Sequence, residues 1–222
     1  TPKHQRALLD SHVLMIVLRL AFYAKTPNSV RPMALLTAAD IIRDNSYVQQ
    51  EFGKIDVPFL DPSLPMSTAL DNPPLVPVLS LLLNWSLFAN SVHTFDIRIS
   101  SIALLKAYFN ENHGLKKIFI EQEIAQYKLI NNTIEDGSDF VLRTNVFETI
   151  MDYDPDLKLN PYKLFFATDL LMYLFQSESS VTELRDLARK LNSGNDSAGE
   201  EVLSSIQTIC ELLLTTLSTE DA

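Results

Sequence analysis

The sequence predicts an all-α protein of the armadillo/HEAT-like type, an α-solenoid in which helical repeats stack into a right-handed superhelix. Apolar residues recur at helical spacing through nearly the whole chain. Glycine is scarce, with 5 in 222 residues, so the chain offers few of the tight turns that β architectures need. Helical segments also resemble one another along the chain, with their apolar positions in register. These observations together predict amphipathic helices that pack side by side around a shared core.

Composition excludes several classes of partner. Hydrophobic residues make up 46% of the chain, which is enough for a core that needs neither metal nor disulfide. The formal net charge of -10 at pH 7 repels polyanions and anionic lipid, so no nucleic-acid partner is expected. The most apolar stretch, Leu75 to Phe88, is too short to span a bilayer and is interpreted as a core helix. Direct membrane insertion is therefore not expected.

The cellular compartment is predicted from the cysteine count. The single cysteine, Cys210, cannot form an internal disulfide, and no signal peptide is recognisable. We therefore expect a cytoplasmic protein. Because the chain starts at Thr1 without a methionine, we also expect it to be a fragment of a longer protein.

The helices are predicted in order from their caps and breaks. The segment from Pro2 to Ala24 predicts a helix that breaks near Asp10, and Pro32 suits the first turn of a helix that runs to about Asp44. Three helix starts have the spacing of a capping box: Ser46 with Gln49, Ser180 with Glu183, and Ser197 with Glu200. Further helices are predicted over Val78 to Asn90, Phe95 to Asn112, Leu115 to Leu129, Phe140 to Met151, Pro161 to Phe175, Val181 to Leu191 and Glu200 to Leu217.

We predict a single armadillo-like domain over residues 1–222. Two segments interrupt its succession of helices. Residues 56–77 contain six of the 11 prolines, so they predict an extended, polyproline-like excursion over the surface. Residues 131–139 are polar, acidic and glycine-containing, which predicts a mobile loop.

An internal repeat is the most informative pattern. Val30–Asn45 aligns without gaps with Ile97–Asn112, a spacing of 67 residues, and the alignment pairs Arg31 with Arg98 as well as Asn45 with Asn112. Pro161–Leu171 is a third copy, which echoes Pro32–Ile42. The spacing exceeds the roughly 40–47 residues of an armadillo or HEAT unit, and the proline-rich excursion accounts for most of the excess. The alternative is that any two amphipathic helices align when slid into phase, but the matched polar residues favour a true repeat.

No constellation of residues predicts catalysis, so we expect a protein that is not an enzyme and has no cofactor. Cys210 lies on an apolar helix face and predicts a core position. The four histidines (His4, His12, His93 and His113) include no pair at zinc-ligand spacing. Asp152–Asp156 lacks the central glycine and the closing glutamate of a calcium loop. Catalytic, cofactor-binding and metal residues are thus predicted to be absent, while partner-binding residues stay unknown.

Aromatic residues cluster at four places, which are Phe22–Tyr23, Tyr108–Phe109, Phe165–Phe166 and Tyr173–Phe175. We expect most of these rings, and Trp85, to pack between helices. A ring that faced solvent would instead be an anchor for a protein partner, because aromatic side chains dominate interaction hot spots.

Several short motifs together resemble one family. The motifs are His4–Asp10, Arg31–Ala39, Lys54–Pro58, Asp61–Pro65, Asn90–Asp96, Leu105–Phe109 and Leu159–Phe166. In combination they resemble the globular head of the fungal Uso-type general vesicular transport factors, and the resemblance spans nearly the whole chain. The family resemblance implies a golgin-like homodimer with an armadillo head and a coiled-coil tail, which tethers ER-derived vesicles to early Golgi membranes.

The resemblance also implies partners and a location. Rab-family GTPases, SNAREs and other tethering factors are the implied partners, and the implied location is peripheral on Golgi and ER-derived vesicle membranes. This chain has no sustained heptads and no long acidic tail, so it represents part of the head, without the coiled-coil tail through which the full-length homodimer forms. The alternatives are an α-solenoid adaptor of another cytosolic pathway, such as a nuclear-transport or phosphatase scaffold, and an all-α enzyme that uses carboxylates.

Overall fold

Nine helices and two short strands make up the part of the chain that the structure describes. The structure is a computed structural model, and it describes residues 1–23, 25–58, 75–87, 95–132, 144–151 and 161–176. In chain order the elements are α1 (Pro2–Asp10), α2 (Val13–Phe22), α3 (Arg31–Ile42), α4 (Ser46–Phe52), β1 (Asp56–Pro58), β2 (Leu75–Pro77), α5 (Val78–Leu87), α6 (Phe95–Phe109), α7 (His113–Asn132), α8 (Val146–Met151) and α9 (Pro161–Leu174). The helices predicted after residue 176, with the caps at Ser180 and Ser197, lie outside the described residues.

The helices form consecutive units that stack on one another. The first unit consists of α2, α3 and α4, the second of α5, α6 and α7, and the third begins with α8 and α9. In each unit the first helix packs against the second, and α6 packs against α3 on one side and α9 on the other. One hydrophobic core runs through all three units. The predicted all-α architecture of stacked helices is therefore confirmed.

The 67-residue repeat is visible in the backbone. Asp44 and Glu111, which the repeat pairs, both have left-handed backbone, with φ of 58° and 52°. The residue after each of them, Asn45 or Asn112, caps the third helix of its unit. Its side-chain oxygen accepts a hydrogen bond from the backbone N–H three residues later, at 3.4 Å in the first unit and 3.2 Å in the second. The matched asparagines in the sequence thus mark matched helix starts.

The capping box predicted at Ser46 is wrong. Asn45 is the cap of α4, and Ser46 is the first residue inside the helix. The Gln49 side chain does not return to the cap but is buried between two units. Asparagine is as good a cap as serine, and the sequence places it one residue earlier.

Several predicted boundaries also differ from the structure. Helix α7 runs through Asn132, so the first two residues of the predicted acidic loop are helical. Helix α8 begins at Val146 rather than at Phe140, because the Asn145 side-chain oxygen accepts hydrogen bonds from the backbone N–H groups of Phe147 and Glu148. The rest of the acidic loop, and residues 140–143, lie outside the described residues.

The two ends of the proline-rich segment form a short ribbon. β1 and β2 pair antiparallel, with Val57 opposite Val76, and Val57 is fully buried. The backbone N–H of Val78 then donates to the carbonyl of Ile55 at 2.9 Å. The pairing was not predicted, but the extended backbone expected at both ends of the segment and the helix start expected at Val78 are confirmed. The longer core helix expected from Leu75 is wrong for residues 75–77, which form a strand. Residues 59–74 lie outside the described part of the chain.

Two arginines that the repeat pairs make the same kind of contact. Arg31 donates from its guanidinium to the carbonyls of Tyr23 and Thr26, at 3.0 and 3.1 Å. Arg98 donates to the carbonyl of Leu87, at the end of α5, at 3.1 Å. Each arginine therefore supplies donors to backbone at or just beyond the C-terminal end of the first helix in its own unit, where carbonyls lack partners within the helix.

Each of these arginines also stacks on an aromatic ring of the next unit. The Arg31 guanidinium lies 5.4 Å from the Trp85 ring centre, and that of Arg98 lies 5.7 Å from the Phe166 ring centre. Burial lowers the pKa of both guanidiniums from its usual value. Each of the two arginines therefore links the C-terminal end of the first helix in its own unit to an aromatic ring of the next unit.

A second pair of contacts joins the units at their other end. The Gln49 amide donates to the carbonyls of Ala107 and Asn110, both at 2.9 Å, where α6 ends. Its oxygen accepts a hydrogen bond from the side chain of Asn112 at 2.9 Å. Lys116, which the repeat pairs with Gln49, donates in the same way to the carbonyl of Tyr173 near the end of α9, at 3.4 Å. In both units, therefore, a buried side chain near the start of the third helix donates to a backbone carbonyl at the C-terminal end of the second helix in the next unit.

A buried carboxyl group joins α7 to α8. Glu123 accepts a hydrogen bond from the Val146 N–H at 2.8 Å, and the Asn145 side chain donates to the Glu123 carbonyl at 2.7 Å. Burial raises the pKa of Glu123 to about 7; the hydrogen bond from Val146 opposes this shift and the charge of Glu148 adds to it. The junction therefore favours a protonated carboxyl group at neutral pH and below.

Replacement of Gln49 tests the contact between units. Gln49→Met keeps the length of the side chain but removes the buried donor and acceptor, so we expect the free energy of unfolding in urea to fall by about 2–3 kcal/mol. Gln50→Met is the matched control, because Gln50 lies on the same helix and is exposed; it should change stability by less than about 0.5 kcal/mol. Equal effects of the two substitutions would contradict this role for Gln49.

The Glu123 pKa predicts a pH dependence of stability. Because the folded-state pKa is about 7 and the ordinary value is 4.5, this group stabilises the fold fully below pH 4.5 and loses that contribution as the pH rises to about 7. Glu123→Gln removes the titrating group, so the variant should not lose stability in this way. The free energy of unfolding of the variant, minus that of the wild type, should therefore rise by up to about 3 kcal/mol between pH 4.5 and 8. Urea unfolding across this range, with Glu121→Gln on the same helix as control, measures the difference; a difference that does not vary with pH would refute it.

Candidate interaction surface

The second helices of the three units expose a set of large apolar side chains. We call this set the outer face, and its members are Met33, Leu36, Phe95, Ile99, Tyr162, Phe165 and Met172. On α3 they share a helix side with the exposed residues Thr37 and Asp40, and the largest exposed fraction, 68%, belongs to Met33. Exposed aromatic and methionine side chains are typical of surfaces that bind other proteins.

The outer face is most compact where α6 and α9 begin. The Phe95 ring packs edge-on against Tyr162, with ring centres 5.3 Å apart, and against Phe166 at 5.7 Å. Phe166 is buried and also contacts Phe165 at 5.2 Å. Two exposed rings, Phe95 and Phe165, therefore rest on one buried ring, and Tyr162 packs against Phe95. This packing limits the conformational freedom that a partner would have to restrict on binding.

Polar contacts fix α9 against α6 beyond the aromatic rings. The Lys106 ammonium donates to the Asp169 carboxylate at 2.7 Å, and the Tyr173 hydroxyl donates to the Asn110 side chain at 2.8 Å. The ammonium groups of Lys106 and Lys116 lie 5.5 and 4.9 Å from the Tyr173 ring centre. Burial lowers the pKa of the Lys116 ammonium, and the charge of Glu111 partly offsets this. These contacts hold the two helices in a fixed relation.

The aromatic clusters found in the sequence divide between core and surface. Tyr108 and Phe109 are both buried, as is Phe175. The other two pairs are split, because Phe22 and Phe166 are buried while Tyr23 and Phe165 are exposed. The position of each residue around the helix could have separated core from surface. Phe165 lies on the same helix face as Tyr162 and Met172, whereas Phe166 points roughly a third of a turn away. Trp85 is buried, as predicted.

A second exposed apolar stripe lies on α2. Ile16 and Leu20 are exposed on successive turns of this helix, and Tyr23, which follows its last residue, is exposed as well. The stripe belongs to one unit only, whereas the outer face extends over all three. Substitutions on this stripe therefore provide a matched control for substitutions on the outer face.

Residues considered for metal or catalysis do not come together in the part of the chain described. No group of three or more histidine, cysteine, aspartate or glutamate side chains there could hold a metal ion. His4 shares a hydrogen bond with the Thr1 hydroxyl at 2.7 Å, and His12 and His113 are exposed. His93, Cys210 and Asp152–Asp156 lie outside the described residues. Of the helices described, none has the length and apolar character to cross a bilayer.

Comparison with known proteins decides the family. The family model described as "Uso1 / p115 like vesicle tethering protein, head region" matches residues 45–222. The chain belongs to this family. The resemblance found in the sequence is thereby confirmed, and the Uso1/p115 heads are vesicle-tethering proteins rather than a family of enzymes.

Individual Uso1 proteins are similar over most or all of the chain. The intracellular protein transport protein USO1 of Saccharomyces cerevisiae is 45% identical over 254 residues, an alignment that covers 100% of this chain and 14% of the yeast protein. The crystal structure of Uso1-2 has a TM-score of 0.68 at 50% identity and covers 85% of this chain and 28% of that one. The crystal structure of Uso1-1 has a TM-score of 0.69 at 47% identity, with 98% and 31% covered. The armadillo-like helical solenoid is therefore the shared fold, and this chain spans about a third or less of these relatives.

Adjacent phenylalanines test the division between core and outer face. Phe166→Ala should lower the free energy of unfolding by about 3–5 kcal/mol, because Phe166 is 2% exposed and its removal leaves a cavity under Arg98. Phe165→Ala should change it by less than about 0.5–1 kcal/mol, because this ring is 59% exposed. Urea unfolding measures both variants. Similar losses for the two would mean that Phe165 belongs to the core.

Proposed function

We propose that this chain is a section of the globular head of a tethering factor that acts in ER-to-Golgi vesicle transport, and that it works by holding protein partners on its solenoid surface. The observation that carries the proposal is the 45% identity over the whole chain to a yeast protein named for intracellular protein transport. The chain covers 14% of that protein, so the proposal concerns one section of the head.

The partners proposed are Rab-family GTPases, SNAREs and other tethering factors, which dock on the head. In the full-length protein the head belongs to a homodimer that forms through a coiled-coil tail, and the dimer is peripheral on Golgi and ER-derived vesicle membranes from the cytoplasmic side. No chemical turnover is part of this function. The outer face supports the proposal, because exposed aromatic and methionine side chains are typical of surfaces that bind other proteins.

A paired recovery experiment tests this function. The full-length protein and a variant with Phe95→Ser and Phe165→Ser are each incubated with cytosol and detergent-solubilised Golgi membranes, with either GTPγS or GDP. We expect the wild type to recover Rab-family GTPases in a GTPγS-dependent manner together with SNAREs, and the variant to recover at least one of these classes about fivefold less. A variant with Ile16→Ser and Tyr23→Ser, on the α2 stripe, should match the wild type.

Two outcomes would contradict the proposed function, and a third would contradict the role of the outer face in it. Recovery of nuclear-transport cargo or phosphatase subunits in place of Rab-family GTPases and SNAREs would favour an adaptor of another pathway. Turnover abolished by a single carboxylate substitution would favour an enzyme. If the wild type and the Phe95→Ser, Phe165→Ser variant recovered these proteins equally, the outer face would not be part of the surface that binds them.

A further inference from the structure

The start of α8 is joined to the second unit by three hydrogen bonds in the described part of the chain. Two of them end on Glu123 of α7, whose side chain accepts from the Val146 N–H at 2.8 Å and whose carbonyl accepts from the Asn145 side chain at 2.7 Å. The third runs from the Asn84 side chain on α5 to the Thr144 hydroxyl at 2.9 Å. We call these five residues the α8 junction. Glu123 is therefore the main polar link between α7 and α8.

The Glu123 carboxyl group has little to balance a negative charge. It is 5% exposed, and among the described residues the Val146 N–H is its one hydrogen-bond donor. A buried carboxylate needs several donors or a cation, because one hydrogen bond does not offset the cost of taking the charge out of water. Burial therefore raises the pKa of Glu123 to about 7. The junction thus accommodates the neutral carboxyl group better than the carboxylate.

The charged groups around Glu123 do not supply the missing balance. Glu148 on α8 acts on it, and this negative charge raises the pKa of Glu123 further. Helix α5 carries no charged residue. On α6, Arg98 donates to the backbone at the end of α5, and Lys106 pairs with Asp169 of α9. No positive charge of the described helices therefore stabilises an ionised Glu123.

Helix α8 has a cap of its own that does not depend on α7. The Asn145 side-chain oxygen accepts from the N–H groups of Phe147 and Glu148, at 2.9 and 3.1 Å. The Thr149 hydroxyl donates to the Asn145 carbonyl at 2.8 Å. Because these hydrogen bonds lie within α8 and its cap, the start of α8 can separate from α7 without loss of the helix. Separation would open the Glu123 carboxyl group to water.

From this geometry we infer that the α8 junction is a pH-sensitive contact between the second and third units, which is closed while Glu123 is protonated and opens as the pH rises through neutral. Helix α8 packs against α9, which carries Tyr162 and Phe165 of the outer face. Opening of the junction would therefore loosen the support of that part of the outer face. The inference is independent of the proposed function, because it concerns a contact within the solenoid.

The direction of the pH effect follows from the two states of the junction. In the closed state the pKa of Glu123 is about 7, whereas a hydrated carboxyl group in the open state has the ordinary value of 4.5. The closed state therefore holds the proton more tightly, and rising pH favours the open state between these two values. The difference corresponds to an increase of up to about 300-fold in the opening constant, which levels off above pH 7.

Hydrogen exchange of the Val146 amide tests the inference on the 222-residue chain. This amide donates to Glu123, so it exchanges with deuterated water when the junction opens. NMR measures its exchange rate between pH 5 and 8, and each rate is divided by the intrinsic rate of an unprotected amide at that pH. The amide of Ile42, which is fully buried on α3, reports unfolding of the whole chain.

We expect the corrected Val146 rate to rise about 70-fold from pH 5 to pH 8, and to stay above the corrected Ile42 rate throughout. Glu123→Gln keeps the size of the side chain and every other titratable group. In this variant the corrected Val146 rate should vary by less than about threefold over the same range. Glu121→Gln, on the same helix, should behave as the wild type.

Three results would overturn the inference. The first is a corrected Val146 rate in the wild type that does not change with pH. The second is an equal rise in Glu123→Gln, which would assign the effect to another group. The third is a Val146 rate equal to that of Ile42 at every pH, because the junction would then open only when the whole chain unfolds. The first and third results need no variant, so the test holds even if Glu123→Gln does not fold.

Discussion

The stack of units depends on backbone carbonyls at the C-terminal ends of its helices. An α-helix leaves its last carbonyls without partners inside the helix, and a carbonyl buried in that state destabilises the fold. In this chain, buried side chains of neighbouring helices supply the donors. Arg31 and Arg98 serve the ends of the first helices, while Gln49 and Lys116 serve the ends of the second helices of the next unit. Each donor has a place in register with its counterpart in the other unit.

This constraint determines what the surface offers to partners. The donors occupy the sides of the helices that face other helices, and the arginines add stacking on Trp85 and Phe166. The solvent-facing sides of α3, α6 and α9 do not carry these donors, and they bear exposed apolar side chains.

The sequence predicted the repeat because matched polar residues recur in it, although it did not predict the contacts of those residues. Arg31 with Arg98 and Asn45 with Asn112 align in the sequence, and the structure gives each pair a shared role. The sequence did not reveal what Gln49 does, because its spacing from Ser46 imitates a capping box and its actual partners lie about sixty residues away. Such long-range partners leave no local pattern.

Other features were beyond prediction for similar reasons. The β1–β2 ribbon joins residues on either side of a proline-rich stretch, and proline content predicts extended backbone but not its pairing. Aromatic pairs such as Phe165–Phe166 were found in the sequence, but the choice between core and surface depends on which neighbours the helix meets. Family membership was predictable because short motifs are spread over nearly the whole chain.

The free energy of unfolding of Arg31→Met and Arg98→Met, measured in urea beside the exposed control Arg19→Met, tests the role of the repeated donors most directly. Each of the first two variants loses a buried donor to a helix end and a stacking contact with the next unit. We predict that each loses about 2–4 kcal/mol, while the control loses less than about 1 kcal/mol. Losses no larger than that of the control would contradict the account, because the units would then be held together by apolar packing alone.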